Sequence, residues 1–98
     1  MYVAVSTFTI ANDMAREVAE AFINRPHLVD SFPGFVKMQV LHPHDNPKEI
    51  WLFTYWHNED SFKTWHKEHL HASHAYIPKG LKLVPRSAKM LHFTHICD

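Results

Sequence analysis

The chain has 98 residues, 46% of them apolar and 20% charged, with ten Lys plus Arg against ten Asp plus Glu. That length holds one small domain, 1–98, and leaves no linker for a second. Zero formal charge excludes the clustered positive excess that nucleic acid or an anionic membrane requires, and no stretch approaches the ~20 apolar residues of a membrane span. The N-terminus has neither a basic region nor an uninterrupted apolar run, so a soluble, unprocessed chain is expected. Cys97 is the only thiol, which rules out an intrachain disulfide and points to a reducing, cytoplasmic setting.

From Tyr2 to Ile10, β-branched and aromatic residues alternate with small ones, predicting a strand. Asn12 or Asp13 offers an N-cap to a helix in which Met14, Ala15, Val18, Ala19, Phe22 and Ile23 recur at helical spacing until Pro26. Pro33-Gly34 marks a turn, and Phe35 to Leu41 alternates around Lys37 and Gln39 as a second strand. Turn residues from His42 to Pro47 lead into a third strand, Ile50 to Trp56, which completes a hairpin. Asn58 caps a second helix, with Glu59 and Asp60 against the positive end of its dipole, running to about Tyr76 or Ile77 before Pro78 and Gly80. Ala88 to Ile96 reads as the last strand. The order β-α-β-β-α-β predicts an α+β, ferredoxin-like antiparallel sheet with both helices on one face.

In the third strand Ile50, Leu52 and Thr54 point one way while Trp51, Phe53 and Tyr55 point the other. Two helices cover only one face, so the aromatic face is expected to pair with a second copy in a sheet-to-sheet homodimer.

The second helix carries the densest chemistry. At about 100° per residue, Phe62, Trp65, His66, His69, Ala72, Ser73 and Tyr76 share one broad face. Buried imidazoles and hydroxyls need partners, water or a ligand, so a polar-lined pocket between helix and sheet is expected. A His-Glu-x-x-His zinc motif fails, because Glu68 directly precedes His69. A closed zinc site lacks thiolate and carboxylate ligands, Cys97 sits too near the chain end for a thiol nucleophile, and two glycines make no phosphate loop. Haem requires less: one neutral imidazole and flat apolar walls.

Pro33-Gly34-Phe35, Thr54-Tyr55-Trp56, Ser61-Phe62-x-x-Trp65 and Ala72-Ser73-His74 together resemble the antibiotic-biosynthesis monooxygenase (ABM) superfamily across nearly the whole chain. Trp65 followed nine residues later by His74 is similar to the small bacterial haem-degrading monooxygenases. That resemblance implies a dimeric α+β barrel, a Trp lying against a distorted haem and a proximal His ligand to its iron. It also places Ser6 where the haem-degrading members carry an Asn on the first strand.

Three readings remain open on this pattern. In the first, a haem-binding monooxygenase, His74 ligates the iron, Trp65 presses on the macrocycle, Phe22, Phe62 and Tyr76 wall the pocket and Ser6 addresses the distal side. Haem is then also the substrate, and an electron donor is required. The second is a cofactor-independent oxygenase of a small phenolic or quinone-like substrate, with His66 or His69 as general base. The third is a non-catalytic dimeric module holding a small planar ligand.

Overall fold

The computed structural model covers residues 1–74 and 77–98, the stretch 69–74 as backbone alone. In chain order it forms β1 (Tyr2–Thr9), α1 (Ala15–Ile23), a 3-10 turn (Val29–Ser31), β2 (Phe35–Leu41), β3 (Glu49–Trp56), α2 (Glu59–His74) and β4 (Lys89–Thr94). The strands make one antiparallel sheet in the order β2-β3-β1-β4, the ferredoxin-like arrangement predicted from the sequence. Among the described residues no helix is long and apolar enough to cross a membrane.

Local expectations fare unevenly. Asn58 caps α2 as expected: its Oδ1 accepts the Ser61 N–H at 2.8 Å. The cap expected for α1 does not form. Met14 occupies the N-cap position with no side-chain hydrogen bond, because Asn12 donates instead to the Gly80 carbonyl at 2.9 Å and Asp13 pairs with Lys48 at 3.6 Å. Tertiary partners outbid the local cap. The apolar stripe of α1 is also narrower than its periodicity suggests: Val18 is buried, Ala15 and Phe22 are half-buried, and Ala19 and Ile23 face solvent. Likewise β4 ends at Thr94, leaving Ile96 exposed beyond it.

Alternation along the paired inner strands sorts the core. Tyr2, Ala4, Ser6 and Phe8 of β1 stand opposite Trp56, Thr54, Leu52 and Ile50 of β3, and this face packs against the helices. Ala4, Trp56, Val29 and Phe62 of α2 form one buried cluster, flanked by Tyr2, Phe32, Phe35 and Trp65. Ile10, Ile50 and Val18 of α1 form a second, flanked by Phe8, Phe22 and Val40. Trp56 is fully buried yet satisfied, since its Nε1–H donates to Thr54 Oγ1 at 2.9 Å. Thr54 in turn donates to the Ala4 carbonyl at 3.4 Å, so neither polar group carries the cost of an unpaired buried atom.

The turn before β2 depends on Gly34. Its φ of +87° lies in the left-handed region, and a Cβ there would overlap Ser61 Oγ and sit 2.5 Å from Ser61 Cβ. Rotating the Ser61 side chain relieves the first contact and not the second. Gly34→Ala is therefore expected to destabilise the protein by about 2–4 kcal/mol, combining the positive-φ cost with overpacking. Gly80→Ala shares the positive φ but meets only Met14 Sδ at 3.9 Å, so it should cost about 1 kcal/mol. Urea unfolding of both variants checks the difference.

Candidate functional site

The two helices pack over different apolar clusters of one sheet face, α2 through Phe62 and α1 through Val18. Along that face of β1 and β3, Ala4, Ile50, Thr54 and Trp56 are buried, as is Ile10 just beyond β1, while Tyr2 and Phe8 are half-buried. Ser6 and Leu52, direct cross-strand partners, are only half-buried and belong to neither cluster. On the other side of Ser6 stands Met90 of β4, 39% exposed. The partly exposed strip of Ser6, Leu52 and Met90, between the α1 and α2 clusters, is the candidate cleft. The Ser6 hydroxyl makes no hydrogen bond to the described residues.

Phe22 flanks the α1 cluster and Phe62 belongs to the α2 cluster, so the two predicted wall residues stand on opposite sides of that strip. Trp65 is half-buried and lies 5.8 Å from Trp56, ring centre to ring centre, tilted by 41°. His66 stacks on Phe62 at 5.4 Å with 25° between planes. Ser6, Phe22, Phe62, Trp65 and His66 are therefore gathered on one face of the sheet. The side chains of His69 and His74, and all of Tyr76, lie outside the described residues. Among the described residues, no group of three or more His, Cys, Asp or Glu could hold a bare metal ion.

Sequence reasoning missed the pair beside Phe62. The Tyr2 hydroxyl hydrogen-bonds Nδ1 of His92, with the two rings stacked at 5.8 Å, and Phe62 lies 5.6 Å from Tyr2 and 6.0 Å from His92. The signal was available, because Tyr2 shares the parity of Ala4 and Ser6 on β1, but a first-strand aromatic reads as ordinary core. Burial pushes the Tyr2 phenol above its usual range; the Glu59 carboxylate raises it further and Lys63 opposes. Two shallow depressions lie elsewhere, one of about 340 Å³ lined by Phe32, Pro33, Asn58, Asp60, Ser61 and Thr64, the other of about 220 Å³ beside Trp51 and Phe53 on the opposite sheet face.

Residues 1–76 match the family model described as antibiotic biosynthesis monooxygenase. The mycobilin-producing haem oxygenase of Mycobacterium tuberculosis is 26% identical over 96 residues, spanning 98% of this chain and 90% of that protein. Among solved structures, the haem-degrader MhuD of the same organism, with two haems bound in its active site, superposes with a TM-score of 0.81 at 23% identity. The match covers 100% of this chain and 98% of that one. SnoaB, a cofactor-independent oxygenase from Streptomyces nogalater, superposes with a TM-score of 0.74 at 20% identity, covering 99% and 94%. These two superpositions establish the shared fold.

The raised Tyr2 phenol has a measurable consequence. A group whose folded pKa lies above its unfolded value of 10.0 contributes stability below that value and loses it as pH rises through the folded pKa. Stability is expected to fall as pH rises above about 10, with part of the fall absent in Tyr2→Phe. The Lys63 ammonium, held up by its hydrogen bond to Glu59, accounts for a further part in the same direction. Unfolding curves across the alkaline range, with ultraviolet phenolate absorbance alongside, measure both.

Proposed function

We propose that this chain, which belongs to the antibiotic biosynthesis monooxygenase family, binds haem in the cleft between α1 and α2 and oxidises it there as its substrate. The observation that carries this reading is the partly covered rung of Ser6 and Leu52, half-buried between the two apolar clusters. A flat ligand would complete the cover that the helices leave unfinished. The lining suits such a ligand. Leu52 and Met90 are apolar, Phe22, Phe62 and Trp65 offer aromatic surface, and Ser6 contributes a single hydroxyl. The relationship to a haem oxygenase over nearly the full chain supports the same substrate class.

In this reading His74, on the last turn of α2, ligates the iron. Trp65 bears on the macrocycle, with the fully buried Trp56 behind it as a rigid support. Tyr76 extends the wall formed by Phe22 and Phe62. The Ser6 hydroxyl faces the cleft from the floor, and His66 and His69 are the imidazoles able to hold or move a proton nearby. Bound haem supplies an iron centre and a macrocycle to be attacked by activated oxygen; the chain binds it, orients it and excludes water. Electrons come from an external donor.

Haemin titration of the metal-free protein tests the reading. A stoichiometric Soret band is expected, with affinity falling by more than roughly 100-fold in His74→Ala, beyond the usual cost of altering a metal ligand's support. Addition of a reductant in air should then bleach the band. A band that persists would make the protein a haem-binding module. No specific band would overturn the haem reading in favour of a small phenol or quinone in the same cleft, with His66 stacked on Phe62 as the base.

We further propose a homodimer through the opposite sheet face. Val3 and Val5 are buried beneath it, yet Leu41, Leu91 and Phe93 are 52%, 37% and 49% exposed, and Trp51 and Phe53 stack at 6.2 Å between them. A patch of this kind marks an interface. Phe53→Lys, which puts a charge at its centre, is expected to yield monomers in sedimentation equilibrium while wild type sediments as a dimer.

A further inference from the structure

The aromatic residues beside the cleft are not a random packing. Trp65 touches Trp56 at 5.8 Å, Trp56 touches Phe62 at 5.8 Å, Phe62 touches Tyr2 at 5.6 Å, and Tyr2 stacks on His92 at 5.8 Å. Tyr2 and Trp56 are also direct cross-strand partners on one face, where paired Cα atoms lie about 5 Å apart. The series starts at the residue that flanks the cleft, passes through a fully buried indole and ends at an exposed imidazole. Its last link is a phenol whose hydroxyl hydrogen-bonds a ring nitrogen.

We propose that Trp65, Trp56, Tyr2 and His92 form a hole-transfer chain that carries oxidising equivalents away from the cleft to the protein surface. The inference rests on the oxygenase reading only for the source of the oxidant, a one-electron oxidant formed in the cleft when oxygen or a peroxide is activated there. The oxidant takes one electron from Trp65. Trp56 gives an electron of its own to oxidised Trp65 and becomes the radical cation. Tyr2 then gives an electron to Trp56 and its phenolic proton to Nδ1 of His92, leaving a neutral phenoxyl radical and an imidazolium. A one-electron donor in solution, such as a thiol or ascorbate, reduces the phenoxyl as His92 returns the proton, and every residue is restored.

Burial favours this ending. Oxidising a phenol without a base leaves a strongly acidic radical cation in a partly apolar site, whereas His92 in its Nε2–H tautomer, whose Nδ1 accepts from the hydroxyl, takes the proton as the electron leaves. Trp56 has no such acceptor of comparable basicity, because its Nε1–H is bonded to the Thr54 hydroxyl. The hole therefore passes through Trp56 and rests at Tyr2. Such a path would spare an oxygenase from damage when activation of oxygen is not matched by oxidation of its substrate.

The test needs no haem, so its failure is distinct from failure of the haem reading. A photogenerated ruthenium polypyridyl oxidant is flashed with the wild-type protein, and tryptophan and phenoxyl radicals are followed by transient absorption. The tryptophan radical should decay as the phenoxyl signal rises. Tyr2→Phe should remove most of that rise and lengthen the tryptophan radical's lifetime, whereas Tyr55→Phe, on the opposite face, should leave both unchanged. His92→Gln, an exposed near-isosteric change that keeps an acceptor but removes the base, should slow phenoxyl formation by roughly 100-fold. Trp65→Phe reports where the hole enters, and circular dichroism establishes that each variant is folded. Equal losses in Tyr2→Phe and Tyr55→Phe, or an unchanged rate in His92→Gln, would overturn the chain.

Discussion

The full-length antiparallel pairing of β1 with β3, Tyr2 against Trp56 through to Thr9 against Glu49, is the constraint on which the rest depends. With a side-chain period of two, that register decides every residue's face at once. It sends Ala4, Ser6 and Phe8 with Ile50, Leu52, Thr54 and Trp56 toward the helices, and Val3, Val5 and Thr7 with Trp51, Phe53 and Tyr55 toward the other side. A slip of one residue would exchange the two sets and place Trp56 in solvent. The buried hydrogen bond from Thr54 to the Ala4 carbonyl crosses the pair and resists that slip, because breaking it would strand a polar atom within the core.

Given this sheet, the helices set where the surface stays open. Each anchors on its own cluster: α2 through Phe62 over Ala4 and Trp56, α1 through Val18 over Ile10 and Ile50. The α1 end is tied down by the 80–87 segment, where Ala11 N–H donates to the Lys82 carbonyl at 2.7 Å and Val84 N–H to the Thr9 carbonyl at 2.8 Å. The proposed cleft is the half-buried strip between these two anchored clusters. Phe22 and Phe62, far apart in sequence, stand on either side of it.

The fold was legible because its signals are local and periodic. Alternation identified the strands, Asn58 started α2, and Pro33-Gly34 ended the preceding segment, where Gly34 is needed both for its positive φ and for its closeness to Ser61. What escaped was decided by residues distant in sequence. Asn12 looked like a cap until Gly80 arrived as a partner; Ile23 fitted a helical stripe that the sheet is too narrow to receive. Of the site, Phe22, Phe62, Trp65, His66 and Ser6 could be nominated from spacing and family resemblance. Tyr2 with His92, and Met90 beside Ser6, could not, since each pairing depends on the β1 to β4 register.

In the proposed cleft, Ser6 is the group that would select the ligand. While water reaches the cleft, an unpaired hydroxyl there costs little. Once a planar ligand covers the rung, the same hydroxyl is desolvated, and leaving it unmatched costs about 1–3 kcal/mol. A purely apolar ligand bears that cost in full, unless the hydroxyl turns back to a strand carbonyl already engaged in the sheet. A ligand that presents an acceptor to the floor removes the cost and gains orientation. A serine hydroxyl is short, so that acceptor would have to sit close to β1. A ligand fitting the proposed cleft would be mostly apolar and would accept one hydrogen bond from its floor.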